Sequence, residues 1–281
     1  MARNWFRPTV SSRRGKAAAF DTSVAHPARV YDYWLGGKDN FAADRVAAEQ
    51  VLQAKPGIRD NVRANRRFLA RAVQFLTAEV GLTQFLDIGT GIPAANNTHE
   101  VAQSVRPEAR VVYVDNDPIV LAHARALLTS VAGPTMFIDA DLRDVGTIVS
   151  RAGQTLDFSR PVAVMLIAVL HLIPDEDDPW GIVASFMDAV PSGSYLVVSH
   201  PARDVEADRS AKAAGRYNQH VVAPMRRRTG TSWPGSWTAW KSPDPGWCRC
   251  TSGGRKPAIP WPRPPATRSS HGNLDSLKCP T

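Results

Sequence analysis

The 281-residue sequence has few features of a membrane or exported protein. No apolar run approaches the ~20 residues that a membrane-spanning helix needs. Residues 1–20 are rich in arginine but lack the apolar core of a signal peptide, and Arg13-Arg14 with the residues after it is a poor twin-arginine signal. We therefore expect a cytoplasmic protein without a membrane partner, in which residues 1–20 form a flexible arm.

Cysteine is also scarce, and its three occurrences all fall in residues 226–281. Cys248 and Cys250 lie too close together for a zinc knuckle, and no Cys/His group has the spacing of metal ligands. The sequence therefore predicts no metal site.

Residues 226–281 contain little that could build a hydrophobic core. They hold three Ile, Leu or Val residues but nine of the 22 prolines and five of the eight tryptophans. They also hold ten of the 34 Lys and Arg residues and two of the 26 Asp and Glu residues, so the formal net charge of +8 belongs to this segment. We expect an irregular, disordered basic tail. A nucleic-acid binder acting through this tail is a disfavoured alternative, because the rest of the chain is neutral.

Five short apolar, β-branched runs recur between residues 81 and 225, with helical patterns between them. Such continuous runs are typical of strands buried on both faces of a sheet. The alternation predicts an α/β fold with a doubly wound, Rossmann-like parallel sheet. The runs are Gln84–Asp87, Ala109–Asp115, Thr135–Ala140, Pro161–Leu170 and Ser194–His200.

A helical region precedes this sheet at residues 21–80. Its clearest part, Ile58–Val80, carries an apolar face and a run of five arginines that fall mostly elsewhere on the helix. We interpret the arginines as a solvated helix face, with an anion site as the less favoured alternative.

The residues after the first strand indicate a ligand site. In open α/β sheets, ligands bind at the carboxyl ends of the strands. Gly89-Thr90-Gly91 permits a tight turn and close approach of a ligand to the backbone. With Ala94 it also fits the dinucleotide pattern G-x-G-x-x-A, so an NAD(P)-dependent oxidoreductase is a rival interpretation. Asp87 favours S-adenosylmethionine (SAM), since a carboxylate there would repel a pyrophosphate but attract a cationic amino group.

Acidic residues follow the next two strands. Asp115 lies 24 residues beyond Gly91, where a carboxylate can accept hydrogen bonds from ribose hydroxyls. Asp117-Pro118 fits a helix cap better than a ligand contact. After the third strand, Asp141 is favoured over Asp139 as an acceptor for an adenine amino group, with helix capping as the alternative.

These segments resemble the class I SAM-dependent methyltransferases, and within them an actinobacterial S-adenosyl methyltransferase family. The resemblance spans Asp21 to Arg228 and includes DTSVAHPARVYDYWLGGKDNFAADR at 21–45, DIGTGIPAANNTHEVAQ at 87–103, ARVVYVDNDPIVLAHARALL at 109–128 and VLHLIPDEDDP at 169–179. It implies SAM over Gly89–Gly91, with ribose at Asp115 and adenine near Asp141. It also implies that the YDYWLGGKDN stretch packs over or near the cofactor cleft.

The expected function is transfer of a methyl group from SAM to a small-molecule acceptor, with a non-catalytic or damaged SAM-binding protein as an alternative. His171 is the preferred catalytic base and His200 the second candidate; a structural role is open for both. Three aromatic residues could line a substrate pocket or belong to the core: Tyr31, Tyr33 and Trp34. We interpret Lys38-Asp39 as part of a loop, with a lid as the alternative. The predicted cofactor-binding residues are Asp87, Gly89, Thr90, Gly91, Asp115, Asn116, Asp141 and Leu142.

A class I methyltransferase completes its sheet with two more strands after the fifth. Residues 226–281 lack the aliphatic residues that such strands usually carry, so we expect these strands to be missing. We interpret the segment as the product of a reading-frame shift near residues 229–236, and we expect a chain less stable than its relatives.

Overall fold

The computed structural model describes residues 21–127, 133–203 and 206–229, together with the backbone of two short strands at 240–241 and 247–252. A seven-stranded sheet forms its centre, in the order β3-β2-β1-β4-β5-β7-β6. The strands are β1 Gln84–Ile88, β2 Arg110–Asp115, β3 Thr135–Asp139, β4 Ala163–Ile167, β5 Tyr195–Ser199, β6 Trp240–Lys241 and β7 Trp247–Ser252.

Strands β1 to β5 are parallel, and helices occupy the segments between them. Every residue of β1 and β4 is buried, as their continuous apolar sequences predict. The α/β prediction and the five strand positions are confirmed. The helices are α1 Pro27–Leu35, α2 Ala42–Ala54, α3 Ile58–Ala78, α4 Thr98–Val105, α5 Pro118–Leu127, α6 Val145–Ala152, α7 Pro179–Asp188 and α8 Ala207–Asn218, and two short 3-10 helices cover Leu170–Leu172 and Asp175–Asp177.

The strand order fixes where a ligand cleft can form. The chain runs outward from β1 to β2 and β3 on one side and from β4 to β5 on the other. Connections on the two sides diverge at the carboxyl ends of β1 and β4, which leaves a crevice at that edge of the sheet.

The N-terminal helices cover this edge together with α8. A buried apolar cluster joins Val30 and Trp34 of α1, Ala47 of α2, Val62 of α3 and Tyr217 of α8. This cluster differs from the two that pack on the faces of the sheet. The helical cover is therefore built from segments that lie far apart in the sequence.

The end of the sheet differs from the prediction. Strand β7 pairs antiparallel with β5, from Tyr195 opposite Ser252 to Val198 opposite Arg249, and β6 pairs with β7. The prediction that the final strands are missing is wrong, because an open strand edge pairs through backbone N–H and C=O groups, which a segment poor in aliphatic residues also carries. The flexible arm and the rest of the predicted irregular tail lie outside the described residues.

None of the helices in the described part of the chain has the length and apolar character of a membrane span. Within the same residues, no group of three or more His, Cys, Asp or Glu side chains is arranged to hold a metal ion.

Candidate functional site

A cavity of about 310 Å³ opens at the carboxyl ends of β1 to β4, beneath α1. The structure brings all the predicted site residues together along its wall. They are Asp87, Gly89, Thr90, Gly91, Asp115, Asn116, Asp141, Leu142 and His171.

The two glycines of the turn after β1 are required for different reasons. Gly89 and Gly91 both have left-handed backbone conformations, with φ of 72° and 67°. A Cβ atom on Gly89 would lie 2.3 Å from Cγ2 of Val169, whereas one on Gly91 would meet no atom within 4 Å. Gly89 therefore allows the turn to pack against the segment after β4, and Gly91 leaves open space for a ligand.

Asp115 holds this turn in place from the end of β2. Its Oδ2 accepts a hydrogen bond from the backbone N–H of Gly91 at 2.8 Å, and its Oδ1 accepts one from Asp117 at 3.0 Å. Burial raises the pKa of Asp115, and these two bonds oppose the shift. Each oxygen has a further lone pair, so the carboxylate retains the capacity to accept two hydrogen bonds from a ligand.

Asp87 is a buried carboxyl group at the base of the cavity and is 3% exposed. Thr98 donates a hydrogen bond from Oγ1 to Oδ2 of Asp87 at 2.6 Å. Burial raises the pKa of Asp87 to about 6, even though the hydrogen bond from Thr98 and the charge of Arg66 act in the opposite direction. A cation in the cavity would stabilise the ionised form of this group.

Arg66 is a residue of this cavity that the sequence interpretation missed. Its Nη2 donates to the carbonyl oxygens of Ala95 at 3.1 Å and Asn96 at 3.3 Å, while its Nε is buried and has no hydrogen-bond partner in the described part of the chain. The interpretation of the arginines as a solvated helix face is correct for the exposed Arg63 and Arg67, but it is wrong for Arg66.

A signal for Arg66 was present in the sequence. Arg66 lies four residues after Val62 and three before Leu69, both of which are buried, so it falls on the apolar stripe of α3. A charged residue in such a stripe faces the protein interior and needs a partner there.

Asp141 lines the cavity, but its carboxylate is already engaged. Oδ1 accepts from the backbone N–H and Nε of Arg143 at 2.9 and 2.8 Å. Oδ2 accepts from Nη2 of Arg143 at 2.6 Å and from Nδ2 of Asn116 at 3.2 Å. The Arg143 guanidinium lowers the pKa of Asp141. Capping does not explain this residue, because Asp144 caps α6 instead.

The comparisons with known proteins agree with this geometry. The sequence profile of a family described as S-adenosyl methyltransferase matches residues 13–246. The chain belongs to this S-adenosyl methyltransferase family. It is a SAM-dependent methyltransferase, and SAM is its cofactor. No curated protein matches the chain.

Two solved structures are similar over most of this methyltransferase. A DUF574 family protein from Streptomyces avermitilis is 38% identical with a TM-score of 0.78, and the match covers 83% of this chain and 98% of that one. A proposed methyltransferase from Thermobifida fusca is 36% identical with a TM-score of 0.74, and the match covers 83% and 96% of the two chains.

A second cavity of about 180 Å³ adjoins the first cavity of the methyltransferase. The two cavities share several wall residues, so they form neighbouring compartments of one site. The shared residues are Tyr31, Trp34, Asn65, Ala168, His171, Tyr217 and Met225.

His171 lies in the wall between the two compartments. It is 8% exposed, and its Nδ1 is buried with no hydrogen-bond partner among the residues that the structure describes. Burial lowers the pKa of His171 to about 3, with smaller contributions from His200 and Arg228, so the imidazole is neutral at physiological pH. A neutral imidazole nitrogen without a partner can interact with a polar group of a ligand.

His200 is more firmly held. Its ring lies edge-on to that of His171 with centroids 5.9 Å apart, its Nδ1 contacts the carbonyl of Pro201 at 3.0 Å, and its Nε2 contacts Nη1 of Arg228 at 3.3 Å. Both ring nitrogens are therefore engaged. Of the two compartments, His200 lines only the second.

The predicted aromatic residues separate into two groups. Tyr31 and Trp34 lie three residues apart on one face of α1 and line both compartments. Tyr33 lines neither and contacts Glu49 and Arg59 instead. The resemblance implied that the YDYWLGGKDN stretch packs over or near the cofactor cleft, and Tyr31, Asp32 and Trp34 of this stretch line the first cavity. Its loop is ordered by Asp32, which accepts from the backbone N–H of Asp39 at 3.0 Å.

A chain of hydrogen bonds fixes the wall between the compartments. The backbone N–H of Ala168 donates to Oγ of Ser199 at 3.0 Å, and Ser199 donates to Oδ1 of Asn65 at 2.6 Å. Asn65 in turn donates to the Tyr31 hydroxyl at 2.9 Å. Ala168 has a φ of 53°, so strained backbone lies where the compartments meet.

Proposed function

We propose that this methyltransferase acts on a small-molecule acceptor bound in the second compartment. The observation that carries the proposal is the wall of residues, including His171, that the cofactor cleft shares with this adjoining cavity. A donor bound in one compartment and an acceptor in the other would react across that wall. Positioning two reactants in this way supplies much of the rate enhancement of a transfer reaction.

The polar groups of the first cavity fit the parts of SAM. Asp87 would bind the amino group, because a cation beside this buried carboxyl would offset the burial that disfavours its ionised form. The buried Nε of Arg66 would donate to the carboxylate, and the free lone pairs of Asp115 would accept from the ribose hydroxyls. Adenine would lie near Leu142, Asn116 and Asp141. To bind Asp141, its amino group would have to compete with Arg143 and Asn116, which already donate hydrogen bonds to this carboxylate.

Bound SAM supplies a methyl group on a sulfonium that needs no further activation. The protein then has to orient the acceptor and exclude competing water. Neutral His171 would accept a hydrogen bond from an acceptor hydroxyl and take its proton as the oxygen–methyl bond forms and the methyl–sulfur bond breaks, which would leave a neutral thioether as the leaving group. Its low pKa makes it a weak base, so its main contribution would be orientation.

Calorimetry of the full chain with SAM and S-adenosylhomocysteine tests the cofactor site. Asp115→Ala is the variant expected to weaken binding. A product assay with labelled methyl groups on a panel of small hydroxyl compounds then tests transfer. Tight cofactor binding without any product would instead favour the non-catalytic SAM-binding alternative.

The division of the chain into a helical region at 21–80 and a SAM-binding domain at 81–225 is part of this proposal. The helical region would act as the cover of the cofactor cleft, since α1 supplies wall residues to both compartments. The cytoplasmic location stays a prediction.

A further inference from the structure

The second compartment has the size and walls of a site for one aromatic ring. Its volume of about 180 Å³ is similar to the ~150 Å³ of an engineered apolar cavity that binds benzene. Trp34 is held there by a hydrogen bond from its Nε1 to the carbonyl of Ala48 at 3.3 Å, and Tyr217 is buried. The apolar wall residues are Val51, Ile58, Val62, Ala213, Ala214 and Met225.

The charged residues of this compartment are both cationic. Lys55 and Arg227 line it, and no Asp or Glu is among its wall residues in the described part of the chain. Lys55 is neutralised by Glu206 at 3.2 Å and donates to Oγ of Ser210 at 3.1 Å. Arg227 is therefore the cation of this wall that is available to bind an anionic group of a ligand.

Arg227 has an unused hydrogen-bond donor. Its Nη1 is buried without a hydrogen-bond partner among the described residues. Burial and the neighbouring charge of Arg203 lower its pKa, but a guanidinium stays protonated in proteins. A buried donor without a partner is costly, so an anionic ligand group would gain both a charge partner and a hydrogen bond there.

We infer that the methyl acceptor is a molecule of about one aromatic ring that carries an anionic substituent, most simply a carboxylate, bound by Arg227. Its ring packs between Trp34, Tyr217 and the aliphatic wall, and its nucleophilic group faces His171. This inference rests on the proposed function, because it identifies the class of acceptor for the same site.

Titration of the full chain with 4-hydroxybenzoate and its neutral analogue 4-hydroxybenzamide tests the inference. Ligand-observed NMR or calorimetry is carried out with and without S-adenosylhomocysteine. We expect the carboxylate to bind at least about tenfold more tightly than the amide, since a charge-assisted bond to the Arg227 guanidinium stabilises it further.

The variant Arg227→Gln should abolish this preference, and Arg227→Lys should retain part of it. Arg203→Gln is the matched control, because it removes the adjacent cation that does not line the compartment. Melting curves of each variant establish that it is folded; if Arg227→Gln does not fold, the comparison uses Arg227→Lys.

Three results would overturn the inference. They are equal binding of the two probes, an unchanged preference in Arg227→Gln, and no binding of either probe at millimolar concentration. If S-adenosylhomocysteine still binds in those experiments, the proposed function stands and the acceptor class alone is wrong. Failure of S-adenosylhomocysteine to bind would contradict the proposed function and this inference with it.

Discussion

His26 Nδ1 lies 2.7 Å from Oδ2 of Asp117, and this contact joins the start of α1 to the turn after β2. Asp117 is 3% exposed, and its Oδ1 accepts from the backbone N–H of Ile119 at 2.8 Å, so it also caps α5 as the sequence predicts. Burial alone would raise the pKa of Asp117, but the hydrogen bond and charge of His26 outweigh it and the pKa is lowered. The contact ties the helical cover to the sheet beside the larger cavity.

Removal of this contact should destabilise the fold. We expect His26→Ala to reduce the free energy of unfolding by about 1–3 kcal/mol, since the buried carboxylate of Asp117 would lose the imidazole that contacts it. Because the pKa of Asp117 is lowered on folding, its contribution is present above the unfolded value of 3.8 and is lost as pH falls through the lower folded value. Denaturant unfolding at several pH values measures both effects.

His123→Ala is the control for this experiment. His123 Nε2 lies 3.6 Å from Oδ1 of Asp39 in a more exposed pair, so its loss should cost about 0–1 kcal/mol. Equal unfolding free energies for the two variants would contradict the structural role of His26.

Asp115→Ala should weaken SAM binding by at least about tenfold, because it removes the proposed acceptor for the ribose hydroxyls and releases the N–H of Gly91. Asp139→Asn is a matched control. Asp139 pairs with Asp115 across β2 and β3 but is exposed and lines neither compartment. Calorimetry should give the control an affinity close to that of the original sequence; parallel losses in both variants would argue against a direct role for Asp115.

The two glycines of the turn should respond differently to alanine. Gly89→Ala should lower the melting temperature strongly, because its Cβ collides with Val169 in addition to the left-handed backbone strain. Gly91→Ala meets no neighbouring atom and should cost about 1–2 kcal/mol from strain alone. Its larger effect should be on SAM affinity, since the Cβ enters the space beside the turn. A greater loss of stability in Gly91→Ala than in Gly89→Ala would contradict this assignment.

SAM affinity should depend on pH through Asp87. The pKa of this carboxyl is raised from 3.8 to about 6, so the unliganded protein loses stability as pH rises across that interval. SAM favours the ionised carboxylate, and its affinity should therefore fall by about tenfold between pH 8 and pH 5. Calorimetry across this range is the measurement.

Two variants test the assignment of that pH dependence. Asp87→Asn should bind SAM weakly and with little dependence on pH. Thr98→Val removes the hydrogen bond that lowers the pKa of Asp87, so the midpoint should move to higher pH. An unchanged pH profile in both variants would assign the titration to another group.

Truncation after Thr229 should destabilise the sheet because it removes β6 and β7. The backbone groups of β5 that pair with β7 would then form an open edge. We expect a lower melting temperature and some aggregation in size-exclusion chromatography. A chain truncated after Gly253 retains both strands and is the control; identical melting of the two chains would show that β7 contributes no stability.

The shifted reading frame stays a prediction about residues 229–281. Sequencing of the locus tests it directly. Codons that encode no apolar strand in the neighbouring frame would contradict it. A cooperative melt like that of an intact relative, raised further by SAM, would contradict the expected low stability.

The local pattern of the sequence was enough to predict the α/β class, the five parallel strands, and the turn and carboxylates that line the larger cavity. Apolar periodicity and turn residues act over short distances, and the carboxyl ends of parallel strands meet at one edge of a sheet. Gly89, Gly91, Asp87 and Asp115 could therefore be placed together without knowledge of any tertiary contact.

The tertiary structure alone decided which of these polar groups are already satisfied. The donors that saturate Asp141, the buried nitrogens of Arg66 and Arg227, and the pairing of β7 with β5 depend on segments far apart in the sequence. Composition indicated a tail without strands, but backbone pairing depends on an available edge. Burial and partner choice are properties of the packed chain, and they determine where this methyltransferase can hold its ligands.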